Sequence, residues 1–390
     1  MNNNIEKNFV GCDLLFLLAV FLFSLGSYYF YQVGLYVFQI IGVLLLFPLF
    51  RLSALKINDG FINILLFFFY IFVWGVVSAI FTDSEVFNLT KFAIPVFVFF
   101  YFAFSVVAYY LYPLAFHRAL YKVIWLHVWF FIVQFSWFQI TATLIDYLEP
   151  ITGEQQRAIG GSFSLSFMPN FVRSTGLFNE PGTYSNWIIT LLLLFKSNVR
   201  RLGMLSEDHL LLTAFVIGTV LLSFSAFGYV FSTICVLGII FEKKINITSI
   251  LLVAIFIVIV LYFGAEFFGQ RSSEEDSSVM VRVESLAVYL AKLSPKSIIF
   301  GYGMFTNIFI FDSKNLVYHD VGLWFGTLVA GGVIGYTLLF SFFIFCFPKD
   351  IYAFILLVVI FLSKCPLTSP LVWVVFFYFL LYKIPINKTN

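Results

Sequence analysis

Charge is what this chain lacks. Asp, Glu, Lys and Arg make up only 11% of its 390 residues, whereas a soluble domain carries roughly 25%. The deficit excludes an ordinary soluble enzyme, a nucleic-acid binder and a disordered scaffold. Twenty-two basic and 20 acidic residues nearly cancel, at +2, so no bulk field favours a polyanionic partner. Cysteine is scarce as well. Cys12, Cys235, Cys346 and Cys365 stand far apart in apolar surroundings, which excludes a disulfide framework and a zinc site. Equally missing are a Ser-His-Asp spacing, a paired-carboxylate glycosidase signature and a phosphate-cradling Gly-Lys-Ser loop. No repeat relates one half to the other, unlike transporters built from paired halves.

What fills the chain is apolar. Hydrophobic residues reach 62%, Phe alone accounts for 55 positions, and the mean hydropathy is +1.00. The abundance of Phe and Ile is that of an AT-rich coding sequence and points to a bacterial source. A helical bilayer span takes about 20 apolar residues, so the expectation is an all-α, polytopic transmembrane helix bundle of about 12 spans. It would form a single integral membrane domain over residues 1–390. The run from Gly11 is followed by no polar segment of the kind a cleaved signal requires, and is read as the first span. Spans are expected near 11–31, 34–50, 61–81, 92–112, 120–145 and 182–196. Others are expected near 209–223, 227–241, 248–266, 320–341, 350–363 and 369–382. The apolar run 209–241 is too long for one span and breaks at Ser223, Ser225 and Gly228 into two helices joined by a tight turn. With the N-terminus inside, basic residues from Lys7 to Lys388 gather in inner loops, while the short outer loops hold only Lys91 and Lys364. The positive-inside rule therefore makes both termini cytoplasmic. Two long loops, 146–181 and 267–319, then face outwards with most of the polar chemistry, so the working site is expected there.

The first long loop ends Asn170-Phe-Val-Arg173-Ser-Thr-Gly176-Leu-Phe-Asn179-Glu180-Pro181-Gly182-Thr183. Asn179 suits a helix N-cap and Pro181 a first turn. A helix start offers free N–H groups and partial positive charge to a phosphate, and Arg173 would add a forked, permanent cation. The alternative is that Arg173 pairs with Glu180 and only staples the loop. In the second loop Arg271-Ser-Ser-Glu274-Glu275-Asp276 reads as a solvated surface. Val279, Val283, Leu286, Leu290 and Leu293 then share one helical face, so residues 279–293 are expected to form an amphipathic helix on the membrane surface. Arg282, at the border of that face, either points towards a lipid headgroup or snorkels as an anchor. A Gly301-Tyr302-Gly303 turn follows. His319 then stands before the next span as the side chain best suited to trade a proton, or else as an interfacial histidine with a structural hydrogen bond. His127 lies inside the fifth span, where a neutral interhelical hydrogen bond is expected.

Together these segments resemble the bacterial O-antigen polymerase family (Wzy-type) and the related O-antigen ligases. Three stretches carry the resemblance: Arg173-Ser-Thr-Gly-Leu-Phe-Asn-Glu-Pro-Gly-Thr183, the tight turn Ser223-Phe-Ser225-Ala-Phe-Gly228, and a series in the C-terminal half. That series runs from Arg282 through Gly301-Tyr-Gly303 and His319-Asp-Val-Gly-Leu to Gly331-Gly-Val-Ile-Gly335. The likeness covers roughly residues 165–340. Two positions depart from the family pattern: Ala226 stands where members, especially ligases, often carry an arginine, and Asp320 where Asn usually follows the histidine. The resemblance implies a GT-C-like glycosyltransferase of the bacterial inner membrane, metal-independent and inverting, using no cofactor and facing the periplasm. It implies undecaprenyl-pyrophosphate-linked oligosaccharides as substrates, Arg173, Arg282 and Asn179 as pyrophosphate ligands, and His319 as base with Glu180 second. A chain-length regulator protein would be a partner. A ligase acting on lipid A core and a lipid-linked oligosaccharide transporter are the other readings.

Overall fold

The structure is a computed structural model describing residues 3–28, 30, 36–50, 64, 66–70, 89–157, 162–165, 168–204, 209–242, 286–288, 290–291, 294–301, 321–346, 350–365, 369–382 and 384. It is mostly helical. In chain order come α1 (Asn3–Ser24), α2 (Val37–Leu46), α3 (Leu89–Val106), α4 (Pro113–Thr141) and the single turn α5 (Glu149–Thr152). A hairpin follows, β1 (Ser162–Leu165) and β2 (Met168–Val172). Then come α6 (Pro181–Leu202), α7 (Leu210–Leu222), α8 (Ala226–Glu242), α9 (Pro295–Phe300), α10 (Leu323–Cys346), α11 (Ile351–Leu362) and α12 (Pro370–Tyr382). Two of the helical stretches, Pro113–Thr141 and Leu323–Ser341, are long and apolar enough to cross a membrane, and most of the others are shorter apolar helices. The expected span 248–266 lies outside the described residues, and so does most of 61–81.

Several helices fall on the expected segments, and the break of 209–241 into α7 and α8 is present at Ser223–Ser225. The hairpin departs from an all-helical expectation. Its strands pair antiparallel, with Ser162 opposite Val172 and Phe163 opposite Phe171, and an irregularity before the Leu165–Met168 pair. The expected fifth span, 120–145, starts earlier, as α4 at Pro113. Pro113 has no N–H to give to a preceding turn and suits the first position of a new helix. The residues before it wind into a π turn, Val107–Leu111, which ends as Tyr112 leaves helical geometry (φ −131°, ψ 53°).

The chain divides into two compact units. The first comprises residues 1–46, 113–274 and 350–359. Its centre is α6, buried on every side from Tyr184 to Val199 and packed against α4, α7 and α8. At the far end of α6, Ser197 bonds the buried Asp350 carboxylate, whose other oxygen lies 3.4 Å from Arg200 Nη1. The Arg200 guanidinium lies 5.1 Å from the Tyr352 ring centroid. This knot fixes the start of α11 onto α6. Helix α1 is tied to α4 at two levels. Arg118 grips Asp13 with two donors, at 2.6 and 3.0 Å. Farther along, His127 Nε2 lies 2.7 Å from Ser24 Oγ. The Ser24 hydroxyl donates to the Phe21 carbonyl, so His127 donates to Ser24, the interhelical bond expected of it.

The second unit comprises residues 47–112, 275–349 and 360–390. Its core is α12, buried from Pro370 to Leu381 and packed against α3 and α10. Aromatic rings supply much of the contact: Phe68 stacks on Phe377 at 5.6 Å and Tyr109 meets Tyr378 edge-on at 4.9 Å. Helix α10 is broken at Gly332 (φ 61°, ψ −171°), and the chain leaving α9 at Gly301 (φ 72°, ψ −169°) lies against that break. A methyl on Gly332 would fall 2.4 Å from Gly301 N, and one on Gly301 would fall 2.3 Å from the Ala330 carbonyl oxygen. Two stretches singled out in the sequence, the glycine turn and the glycine-containing helix, thus meet backbone to backbone. Tyr70 Oη donates to the Gly335 carbonyl at 2.7 Å in the same region. Of the expected amphipathic helix 279–293, residues 286–288, 290 and 291 are described and helical, with Leu286 and Leu290 exposed.

Candidate functional site

The site is built in the first unit, where the segment after the hairpin runs into α6. Ser174, Thr175, Gly176, Leu177 and Phe178 are all buried, and Arg173 and Glu180 are half-buried at either side. A five-residue irregular stretch at that depth must satisfy its backbone groups without a helix or sheet. Two buried glutamines do so. Gln134 of α4 accepts from Thr175 N at 2.8 Å and Gly176 N at 2.9 Å through its side-chain oxygen. Its amide donates to the Ile145 carbonyl and to Gln156 Oε1, both at 2.8 Å. Gln156 in turn donates to the Gly176 carbonyl at 2.8 Å and the Phe178 carbonyl at 2.7 Å. Asp146 holds the Gln156 amide N–H at 2.7 Å. Tyr147, whose phenol burial raises above its ordinary pKa, adds its backbone N–H to Gln156 Oε1. Below this polar clamp, Phe178 packs against the rings of His127 at 5.1 Å and Tyr184 at 5.8 Å.

Helix α6 begins at Pro181 with Glu180 in the N-cap position (φ −145°, ψ 155°) and no side-chain cap. This corrects the expectation that Asn179 caps it. The Asn179 carbonyl accepts from Arg157 N at 2.8 Å, and its side-chain oxygen from Ser27 Oγ at 3.4 Å, so Asn179 is turned into the loop. The first turn of α6 lies against the Ser223–Gly228 turn. Ser185 Oγ and Ser223 Oγ are 3.0 Å apart. A methyl on Gly182 would sit 3.7 Å from Ser225 Oγ and 3.8 Å from Glu180 Oε1, and one on Gly228 would clash with Ser185 Oγ at 2.8 Å. Phe224 turns the corner with a positive φ of 49°. Arg173 lies within electrostatic range of the Tyr229 phenol on α8. A guanidinium, a carboxylate, serine hydroxyls and an uncapped helix start are therefore gathered at one end of α6. Such a set can hold an anionic group and place a carboxylate beside it.

No family model, curated protein or solved structure matches this chain. The residues themselves carry the functional argument. Of those singled out in the sequence, Arg173, Asn179 and Glu180 stand in this first-unit site, while Arg282 and His319 lie outside the described residues. The ion pair to Glu180 comes from Arg157, Nη1 to Oε2 3.6 Å, which sequence reasoning missed. The signal was present in the polar run Glu154-Gln155-Gln156-Arg157. Among the described residues no group of three or more His, Cys, Asp or Glu gathers in a way that would hold a metal. The Arg157 side chain is 75% exposed, and solvent-exposed pairs contribute about 0–1 kcal/mol. Arg157→Ala is accordingly expected to leave thermal stability within about 1 kcal/mol of wild type, measured by size-exclusion after a temperature series. A larger loss would mean that the pair is a structural strut.

Proposed function

We propose that this chain is a polytopic enzyme of the bacterial inner membrane that polymerises polysaccharide repeat units on the periplasmic face, in the manner of the O-antigen polymerases it resembles. The supporting observation is the approach of the Arg173–Thr183 segment to the Ser223–Gly228 turn at the start of α6: a methyl on Gly182 would lie 3.7 Å from Ser225 Oγ, and Ser185, two residues beyond the segment, bonds Ser223. These are two of the three stretches on which the resemblance rests.

In this reading a glycan on undecaprenyl pyrophosphate is the donor and a single lipid-linked repeat unit the acceptor. An acceptor hydroxyl oxygen attacks the anomeric carbon, the bond to the pyrophosphate oxygen breaks, and the configuration inverts. Undecaprenyl pyrophosphate leaves with the electron pair. Fixed cations stabilise charge that develops on a leaving pyrophosphate, and Arg173 and Arg282 are assigned that role, assisted by the α6 start beside Asn179. His319 takes the hydroxyl proton, with Glu180 as the second candidate. The apolar helices hold the polyprenyl chains, and a chain-length regulator is the expected protein partner. The ligase alternative, transfer to lipid A core, is disfavoured by Ala226 at the position where ligases often carry an arginine.

The test uses purified protein in detergent with a synthetic undecaprenyl-pyrophosphate repeat unit and no added metal, products being resolved by length. A ladder of lengthening glycans, lost in His319→Ala, is the expected outcome. Transfer only when lipid A core is added would make the enzyme a ligase, and no product with either acceptor would favour a transporter.

A further inference from the structure

Gln134 and Gln156 are the least expected residues near the site: two long polar side chains, 0% and 1% exposed, among aromatic and aliphatic neighbours. Neither touches the groups assigned to substrate. A buried glutamine without partners costs on the order of 1–3 kcal/mol for each unmade group, so their presence has to be repaid by what they hold. Every bond they make is directed at the segment between Arg173 and Glu180 or at the loop that backs it. Gln134 takes the N–H groups of Thr175 and Gly176, Gln156 takes the carbonyls of Gly176 and Phe178, and the two are bonded to each other. Gly176 is thus gripped at its N–H by one glutamine and at its carbonyl by the other. Helix α4 supplies the floor: His127, Phe131 and Gln134 follow one another along one face, at spacings of four and three residues. Phe178 rests on the His127 ring, and a methyl on Gly176 would come 3.4 Å from Phe131 N.

We propose that Gln134 and Gln156 are positioning residues that set the depth and spacing of Arg173 and Glu180, so that α4 serves as the template for an anion site carried by α6. The inference rests on the functional reading above, and it goes beyond it by placing the origin of the site's geometry in two side chains that no substrate reaches. Catalytic constellations lose rate when their support loosens by as little as about 1 Å. A clamp that acts on an anion through Arg173 therefore has a specific thermodynamic signature: once Arg173 is gone, what the clamp still positions is the Glu180 carboxylate, which does not attract an anion, and its removal costs little further affinity.

The experiment is a double-mutant cycle on full-length protein in detergent, with undecaprenyl pyrophosphate itself as the binding probe. Gln134→Leu and Arg173→Ala should each weaken probe binding tenfold or more, and the double variant should bind within about twofold of Arg173→Ala alone. Gln134→Asn keeps both the acceptor for Thr175 and Gly176 and the donors to Ile145 and Gln156, and should recover part of the affinity lost in Gln134→Leu; an unchanged size-exclusion profile of each variant controls for one that fails to fold. Multiplicative losses in the double variant, or wild-type binding by Gln134→Leu, would overturn the proposal. A second readout is independent of any ligand: amide hydrogen exchange in peptides covering residues 174–178 should rise tenfold or more in Gln134→Leu and Gln156→Leu while that of α6 is unchanged. Unchanged exchange at 174–178 overturns the clamp whatever binds. If wild-type protein fails to bind the probe but the exchange pattern appears, the functional reading falls and the clamp stands.

Discussion

Arg173→Ala is expected to lower glycan transfer by about two to three orders of magnitude while the protein is recovered in the membrane at wild-type level. The size of the effect follows from the position. Arg173 leaves β2 at the edge of a buried segment whose backbone bonds are held by Gln134 and Gln156, so its guanidinium starts from a fixed base rather than a mobile loop. A preformed cation needs little reorganisation as charge develops on a leaving group, which is where such groups exert most of their effect. The segment's N–H and carbonyl groups at Thr175, Gly176 and Phe178 are bonded by Gln134 and Gln156, and those bonds do not involve the Arg173 side chain. Transfer is measured as glycan ladder per unit of purified protein, with Arg282→Ala alongside and a similar loss expected. Near-normal ladders from both variants would remove the pyrophosphate assignment.

Gly332→Ala is expected to be severely damaging to the second unit, on a par with Gly301→Ala. Both Gly332 and Gly301 combine φ near +60–70° with ψ near 170° in magnitude, a region that side chains other than hydrogen essentially do not enter. Forcing an alanine there costs about 1–3 kcal/mol of backbone strain. The added carbon would also fall 2.4 Å from Gly301 N and from the Ile299 carbonyl oxygen, atoms of another segment's backbone that cannot swing aside as a side-chain tip can. Overpacking adds about 1–3 kcal/mol more. The combined loss rivals the whole stability of many domains, so little monodisperse protein should survive detergent extraction. Gly335→Ala, in the same helix without a positive φ, is the control. Equal recovery of the two variants would mean that the break in α10 is not held by Gly301.

The parts of this fold legible in the sequence were those written in hydropathy and punctuation. Ser223 and Ser225 interrupt an apolar run that is too long for one helix, and α7 and α8 part there. His127 among Trp125 and Trp129 announced an interhelical bond, and Ser24 accepts it. The parts not legible depend on which backbone groups are left over once the helices have formed. Nothing in the spacing of Gln134 and Gln156 says that one will cap the N–H groups and the other the carbonyls of the same glycine. Asn179 has the chemistry of a cap, yet the Arg157 and Ser27 contacts turn it away and leave the position to Glu180. The gap left between the expected spans 92–112 and 120–145 is not a loop: Pro113 opens a 29-residue helix, and Arg118 within it reaches Asp13. The glycine contact in the second unit joins backbones, which no side-chain pattern encodes.

The Ser197–Asp350–Arg200 knot also bears on the order of assembly. The first unit draws on three separated stretches of chain, and the last of them, residues 350–359, is made long after the others. At elongation rates of roughly 20 residues per second or somewhat less, α6 would wait on the order of ten seconds for Asp350 to be synthesised. During that interval Ser197 and the Arg200 guanidinium lack the carboxylate that joins them in the finished protein. The unit that carries the candidate site is therefore completed only after residues 350–359 have been made.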